Sequence, residues 1–103
     1  MDINYISGFE VGEDDTLWII LENEGKSEFQ YVYRAGKGIY WDSIKNGFRF
    51  DTKGDEDYSK WFVHLLSTIK TELCLEMRPG ENLVWNNVPA TVRLELLQEL
   101  NVK

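Results

Sequence analysis

The stretch that decides the fold is Tyr58-Ser-Lys-Trp61-Phe62-Val-His64-Leu65-Leu66-Ser-Thr-Ile69-Lys-Thr-Glu-Leu73. Its apolar residues recur at intervals of three and four, the spacing that lays an apolar stripe along one side of an α-helix. Stepping about 100° per residue from Tyr58, Trp61, Phe62, Leu65, Leu66, Ile69 and Leu73 share one face, and His64 falls with Lys60, Ser67 and Thr71 on the polar side. The acids Asp55-Glu56-Asp57 stand where a helix start exposes bare amides, so a helix is expected from near residue 56 to about residue 71.

Upstream, the period drops from near four to two. Ile3, Tyr5, Phe9 and Val11 share one parity, with Ser7 between them, and Gly12-Glu13-Asp14-Asp15 makes a turn before Leu17-Trp18-Ile19-Ile20-Leu21. That second run is apolar on both parities, which predicts a central strand covered on both faces. Phe29, Tyr31 and Tyr33 alternate with Gln30, Val32 and Arg34 as a third strand, and Ile39-Tyr40-Trp41 and Gly47-Phe48-Arg49-Phe50 read as two more. Short turns between neighbours favour antiparallel pairing, because parallel neighbours need long crossovers.

Downstream, Leu73, Leu75 and Met77 alternate as a strand ahead of Arg78-Pro79-Gly80, and Asn82 to Trp85 would pair back as a hairpin. A last helix opens at Asn87-Val88-Pro89 and carries Val92, Leu96, Leu97 and Leu100 on one side. The expected fold is therefore a single α+β domain over residues 1–103: an antiparallel sheet of four to six strands, with one amphipathic helix and a C-terminal helix packed on one face.

Charge is unevenly spread. The net charge of −7 is matched by residues 1–28 alone, whereas residues 29–54 are net basic. Such a chain is a poor ligand for phosphate backbones, so neither nucleic acid nor membrane is an expected partner. No run of apolar residues is long enough to span a bilayer, and Met1-Asp2-Ile3-Asn4-Tyr5 lacks the basic flank of a secretion signal, so a cytoplasmic location is expected.

The candidate catalytic groups find no partners in the sequence. His64, the one histidine, lies on the polar side of its helix as an ordinary solvated residue. Cys74, between Glu72 and Glu76, reads as a small buried or half-buried apolar residue rather than a nucleophile. Asp51 to Asp57 has the acid content of a calcium loop but not its spacing, since the twelfth position from Asp51 is Phe62. No zinc, dinucleotide or Walker pattern occurs. The expectation is a protein that is not an enzyme and needs no metal or cofactor.

Aromatics stand out instead, at 14% of the chain. Patterned aromatics form the inner layer of a sheet or anchor a partner. On the second reading the contact residues are the acidic edge Glu10, Glu13, Asp14 and Asp15, extended by Glu22 and Glu24, together with Phe29, Tyr31, Tyr33, Arg34, Tyr40 and Trp41. The edge would steer a basic protein partner, and the aromatic face would anchor it or a second copy as a homodimer. The alternative is a small-molecule binder with a pocket between sheet and helix lined by Trp18, Tyr31, Tyr33, Trp41 and Trp61.

In size, in the strands Phe29-Gln30-Tyr31-Val32-Tyr33 and Gly38-Ile39-Tyr40-Trp41-Asp42, and in the acidic Glu13-Asp14-Asp15, the chain resembles two groups. They are the small acidic immunity proteins of bacterial toxins and the short orphan proteins encoded by integron gene cassettes. The resemblance implies a protein that works by binding, as a stoichiometric inhibitor or a small dimeric adaptor.

Overall fold

The computed structural model describes residues 2–50 and 58–101. The helix signature holds: α1 runs from Tyr58 to Leu73 and turns Trp61, Phe62, Leu65 and Ile69 into the core, while His64 and Lys60 stay exposed. The helix ends two residues later than the sequence suggests, and its expected cap at Asp55 to Asp57 lies outside the described residues. Cys74 then takes a left-handed conformation (φ 51°) that reverses the chain between the inward Leu73 and Leu75. This conformation directs the thiol to solvent, so Cys74 is exposed rather than buried.

The α+β architecture is as expected. Strands β1 (Asp2–Val11), β2 (Leu17–Leu21), β3 (Ile39–Asp42), β4 (Gly47–Phe50) and β5 (Leu75–Asn86) form one sheet in the order β3-β4-β2-β1-β5. Pairing is antiparallel except between β1 and β5, which run parallel. Helix α1 supplies the crossover that a parallel partner requires. The expected hairpin within residues 75–86 does not form, because both halves of β5 pair with β1. Between them the register jumps: Ile6 faces Pro79 and Gly8 faces Val84, so residues 80–83 loop out as an irregularity. Gly80 permits this, since a Cβ there would stand 2.8 Å from the Ile6 carbonyl oxygen.

Strand β1 carries a second correction. Ile6 pairs with Leu21 and Gly8 with Ile20, so Ser7 is an extra residue on β1. A one-residue bulge reverses which parity faces inward. Asn4 and Ile6 are therefore buried before it and Phe9 and Val11 after it, while Ile3 and Tyr5, expected inside, are 40% and 43% exposed.

The expected strand over Phe29 to Tyr33 is instead a 3-10 helix, Ser27–Arg34. Three residues per turn bring Phe29 and Val32 to the same side, and both are buried. The alternation that suggested a strand leaves Tyr31 and Tyr33 outside.

The registers define two rows across all five strands. The inner row runs Trp85, Phe9, Ile19, Phe48, Trp41 from β5 to β3. Its rings touch: Phe9 stacks on Trp85 at 4.6 Å, and Trp41 meets Phe48 edge-on at 4.8 Å. Phe62 of α1 closes on Phe9 at 5.6 Å, and Phe29 of the 3-10 helix on Trp41 at 5.1 Å. Helix α2 (Ala90–Asn101) adds Leu96 to the same core. No helix among the described residues is long and apolar enough to cross a membrane.

If Ser7 is the bulge, Ile6→Ala should cost about 2–5 kcal/mol in urea denaturation and Tyr5→Ala under about 1 kcal/mol. The reverse order would mean that β1 keeps a single parity.

Candidate functional site

Strand pleating sends the residues next to the inner row through to the opposite side of the sheet. The outer row is Asn86, Glu10, Trp18, Arg49, Tyr40, again from β5 to β3. A second row, Val84, Gly8, Ile20, Gly47, Asp42, lies beside it. The core contacts of α1 and the 3-10 helix fall on the inner rings, and among the described residues no helix lies over this second face. Among the described residues, helices thus cover β2 on one side only. Leu17, Ile19 and Leu21 are buried, and Trp18 and Ile20 are only partly buried, a correction to the full two-sided burial that the apolar run suggests.

The outer row is held by charge and aromatic faces. Lys45 Nζ lies 2.5 Å from Glu10 Oε2 and 4.6 Å from the centre of the Trp18 ring. The Arg49 guanidinium sits 4.8 Å from the Tyr40 ring and 5.9 Å from that of Trp18. These cation–π contacts hold both aromatics in place, each half-buried on this face of the sheet. Within these two rows and the adjoining Lys45, two acids, Glu10 and Asp42, balance two bases, Lys45 and Arg49, in a chain of net charge −7.

Lys45 reaches the row because the β3–β4 turn is rigid. Asp42 Oδ1 accepts hydrogen bonds from the amides of Ile44 and Lys45 at 2.8 and 3.1 Å. Asn46 holds a left-handed φ of 57° and joins the turn to the segment after β2. Its Nδ2 donates to the carbonyls of Leu21 and Asn23, and its Oδ1 accepts from the Gly25 amide, at 3.0, 2.7 and 3.0 Å. Ile44, at the tip, is 95% exposed. At the other side of the sheet, Ser7, Gly8, Ile20, Asn82 and Val84 line a shallow groove of about 270 Å³.

The residues singled out in the sequence do not form one surface. Glu10, Trp18 and Tyr40 meet on the outer row. Phe29 and Trp41 belong to the core side, and Tyr31, Tyr33 and Arg34 form a separate exposed group on the 3-10 helix, with the Arg34 guanidinium 4.6 Å from the Tyr31 ring. Glu13, Asp14 and Asp15 occupy the β1–β2 turn, whereas Glu22 and Glu24 follow the far end of β2, roughly 20 Å away at about 3.3 Å per residue. The acidic edge is therefore two clusters. Trp18, Tyr31, Tyr33, Trp41 and Trp61 do not converge on a pocket: Trp18 lies across the sheet from Trp61, and Phe9, Ile19, Phe48 and Phe62 fill the space between sheet and helix. Arg49 reads in the sequence as a basic residue near the aromatic strands, whereas Lys45 carries no signal of its own, and the strand register brings Arg49 opposite Trp18.

The acidic turn is tied to α1, where the Tyr58 hydroxyl donates to the Asp15 carbonyl at 2.6 Å. Partial burial, then the Asp15 and Asp14 carboxylates, push the phenol above its ordinary 10.0. The Thr16 hydroxyl and amide pull Asp14 below the usual carboxylate value. Among the described residues no group of three or more His, Cys, Asp or Glu side chains is placed to hold a metal ion.

No family model and no curated protein matches the chain. Among solved structures it is similar to the integron cassette protein Hfx_Cass5, from the mobile metagenome of the North West Arm sewage outfall. The identity is 20% over 99% of each chain, with a TM-score of 0.43. At that distance no residue role passes from one to the other.

Asn46→Ala should lower stability by about 1–3 kcal/mol through three lost hydrogen bonds and a strained backbone, with Asn46→Gly in between because it relieves only the strain. Equal losses in urea denaturation would dissociate the backbone from the effect. A raised phenol pKa means that the contribution of Tyr58 is full below pH 10 and fades as pH climbs through its folded-state value. Tyr58→Phe should therefore flatten the alkaline limb of a stability–pH curve and leave the limb below pH 9 in shape.

Proposed function

We propose that the protein is a non-enzymatic binding module whose contact surface is the helix-free face of the sheet. The observation that carries this reading is the outer row. Trp18 and Tyr40, half-buried and held by Lys45 and Arg49, lie on a surface that no described helix covers. Aromatic groups with a polar handle, immobilised before contact, lose little entropy when a partner arrives, which is why Trp, Tyr and Arg dominate binding energy at protein interfaces. The balanced charge of the two rows favours another polypeptide over a polyanion, and the net charge of −7 acts in the same direction.

Site-specific photo-crosslinking tests the proposal in the cells that make the protein. A benzophenone side chain replacing Tyr40 should give discrete covalent products, whereas the same group at His64, on the outer side of α1, should give none. Products from His64 alone, or none from either position, would overturn the assignment of the contact face.

A further inference from the structure

We propose that the polypeptide docked on this face is a second copy of the same chain, packed sheet against sheet about a two-fold axis running along β2. The inference rests on the contact face assigned above and adds its occupant. In such a contact each residue meets the one equally far from β2 on the other side. The strand order β3-β4-β2-β1-β5 then brings Trp18 onto Trp18 of the other copy, Arg49 onto Glu10, and Tyr40 onto Asn86. The outer row is thus complementary to itself in charge, with each Arg49–Glu10 pair occurring twice.

The geometry accommodates this pairing. Packed sheets stand about 10 Å apart, a gap that an extended Arg and a Glu span together. Aligned sheets cross at about 30°, which displaces a residue one strand (about 4.8 Å) from the axis by only about 2.5 Å relative to its partner. The same two-fold sets the β3–β4 turn of one copy, with Ile44 at its tip, opposite the β1–β5 groove of the other. Ile44 is 95% exposed and Val84, on the groove wall, is 54% exposed. Two apolar groups that water surrounds in the monomer would cover each other in the dimer. Gly8 keeps the groove floor open, since a Cβ there would crowd the Val84 carbonyl oxygen at 2.9 Å.

The size of the face sets the strength. Strands of 10, 5, 4, 4 and 12 residues, at about 3.3 Å per residue and about 4.8 Å apart, offer a footprint of roughly 500 Å² per copy once the looped residues are left out, below the roughly 800 Å² of a standard interface. The dimer should therefore form and dissociate with concentration rather than be permanent.

Light scattering over about 5 to 500 μM brackets the micromolar range expected of such an interface. The mass should rise from 12.1 kDa toward twice that value. Glu10→Arg and Arg49→Glu should each remain monomeric, because like charges then meet, and an equimolar mixture of the two should recover the dimer. Ile44→Glu, at a position outside the core, should weaken association at least tenfold while leaving the urea midpoint unchanged. Circular dichroism checks that every variant is folded. A mixture no better than its components would overturn the two-fold pairing. A wild-type protein monomeric throughout, with Tyr40 cross-linked to a product of another mass, would overturn self-association and keep the contact face; a monomer with no Tyr40 product would overturn both.

Discussion

The contact between Phe9 and its neighbours organises the molecule. Phe9 lies under Phe62 of α1, stacks on Trp85 of β5 and sits across β2 from Phe48. It joins the crossover helix, the parallel edge strand and the antiparallel strands through one buried ring. Aromatic pairs in edge-to-face and offset arrangements add to area burial about 0.5–1.5 kcal/mol each, so a row of them couples strands that are far apart in sequence. The parallel β1–β5 pairing depends on this row, because the extra loop at residues 80–83 must be absorbed before Trp85 can reach Phe9.

The outer row follows from the inner one. Once Phe9, Ile19 and Phe48 point toward the helices, Glu10, Trp18 and Arg49 have to point away. All the described helices have been used on one side, so the other is left with a Trp and a Tyr between charged groups. A small domain has little surplus secondary structure to cover a second sheet face. Holding Trp18 beneath Lys45 and Tyr40 beneath Arg49 limits the apolar area shown to water while keeping it ready for contact. The proposed pairing uses the same ions: Glu10, held by Lys45 within one copy, meets Arg49 of the other.

Elements whose period extended over many residues were legible in the sequence. Helix α1 repeats its stripe over four turns, and α2 announces itself through Pro89 and the Val92–Leu96–Leu100 spacing. Short elements were not. Over Phe29 to Tyr33 a period of two and a period of three make nearly the same pattern, and the packing of Phe29 on Trp41 decides for the 3-10 helix. Ser7 breaks the parity of β1, and the one mark it leaves in the sequence is the adjacent Gly8. The candidate site was legible only in part: Glu10, Trp18 and Tyr40 stood out as residues, but they lie eight and twenty-two positions apart, and pairing register alone makes them neighbours of Arg49.

Hydroxyl-radical footprinting at high dilution, read residue by residue by mass spectrometry, tests the one-sided sheet most directly. Trp18 and Tyr40 should oxidise readily while Phe9, Phe48 and Phe62 remain protected. Protection of Trp18 and Tyr40 to the level of Phe48 in the dilute monomer would mean that the second face is covered within the chain itself, and would contradict the account.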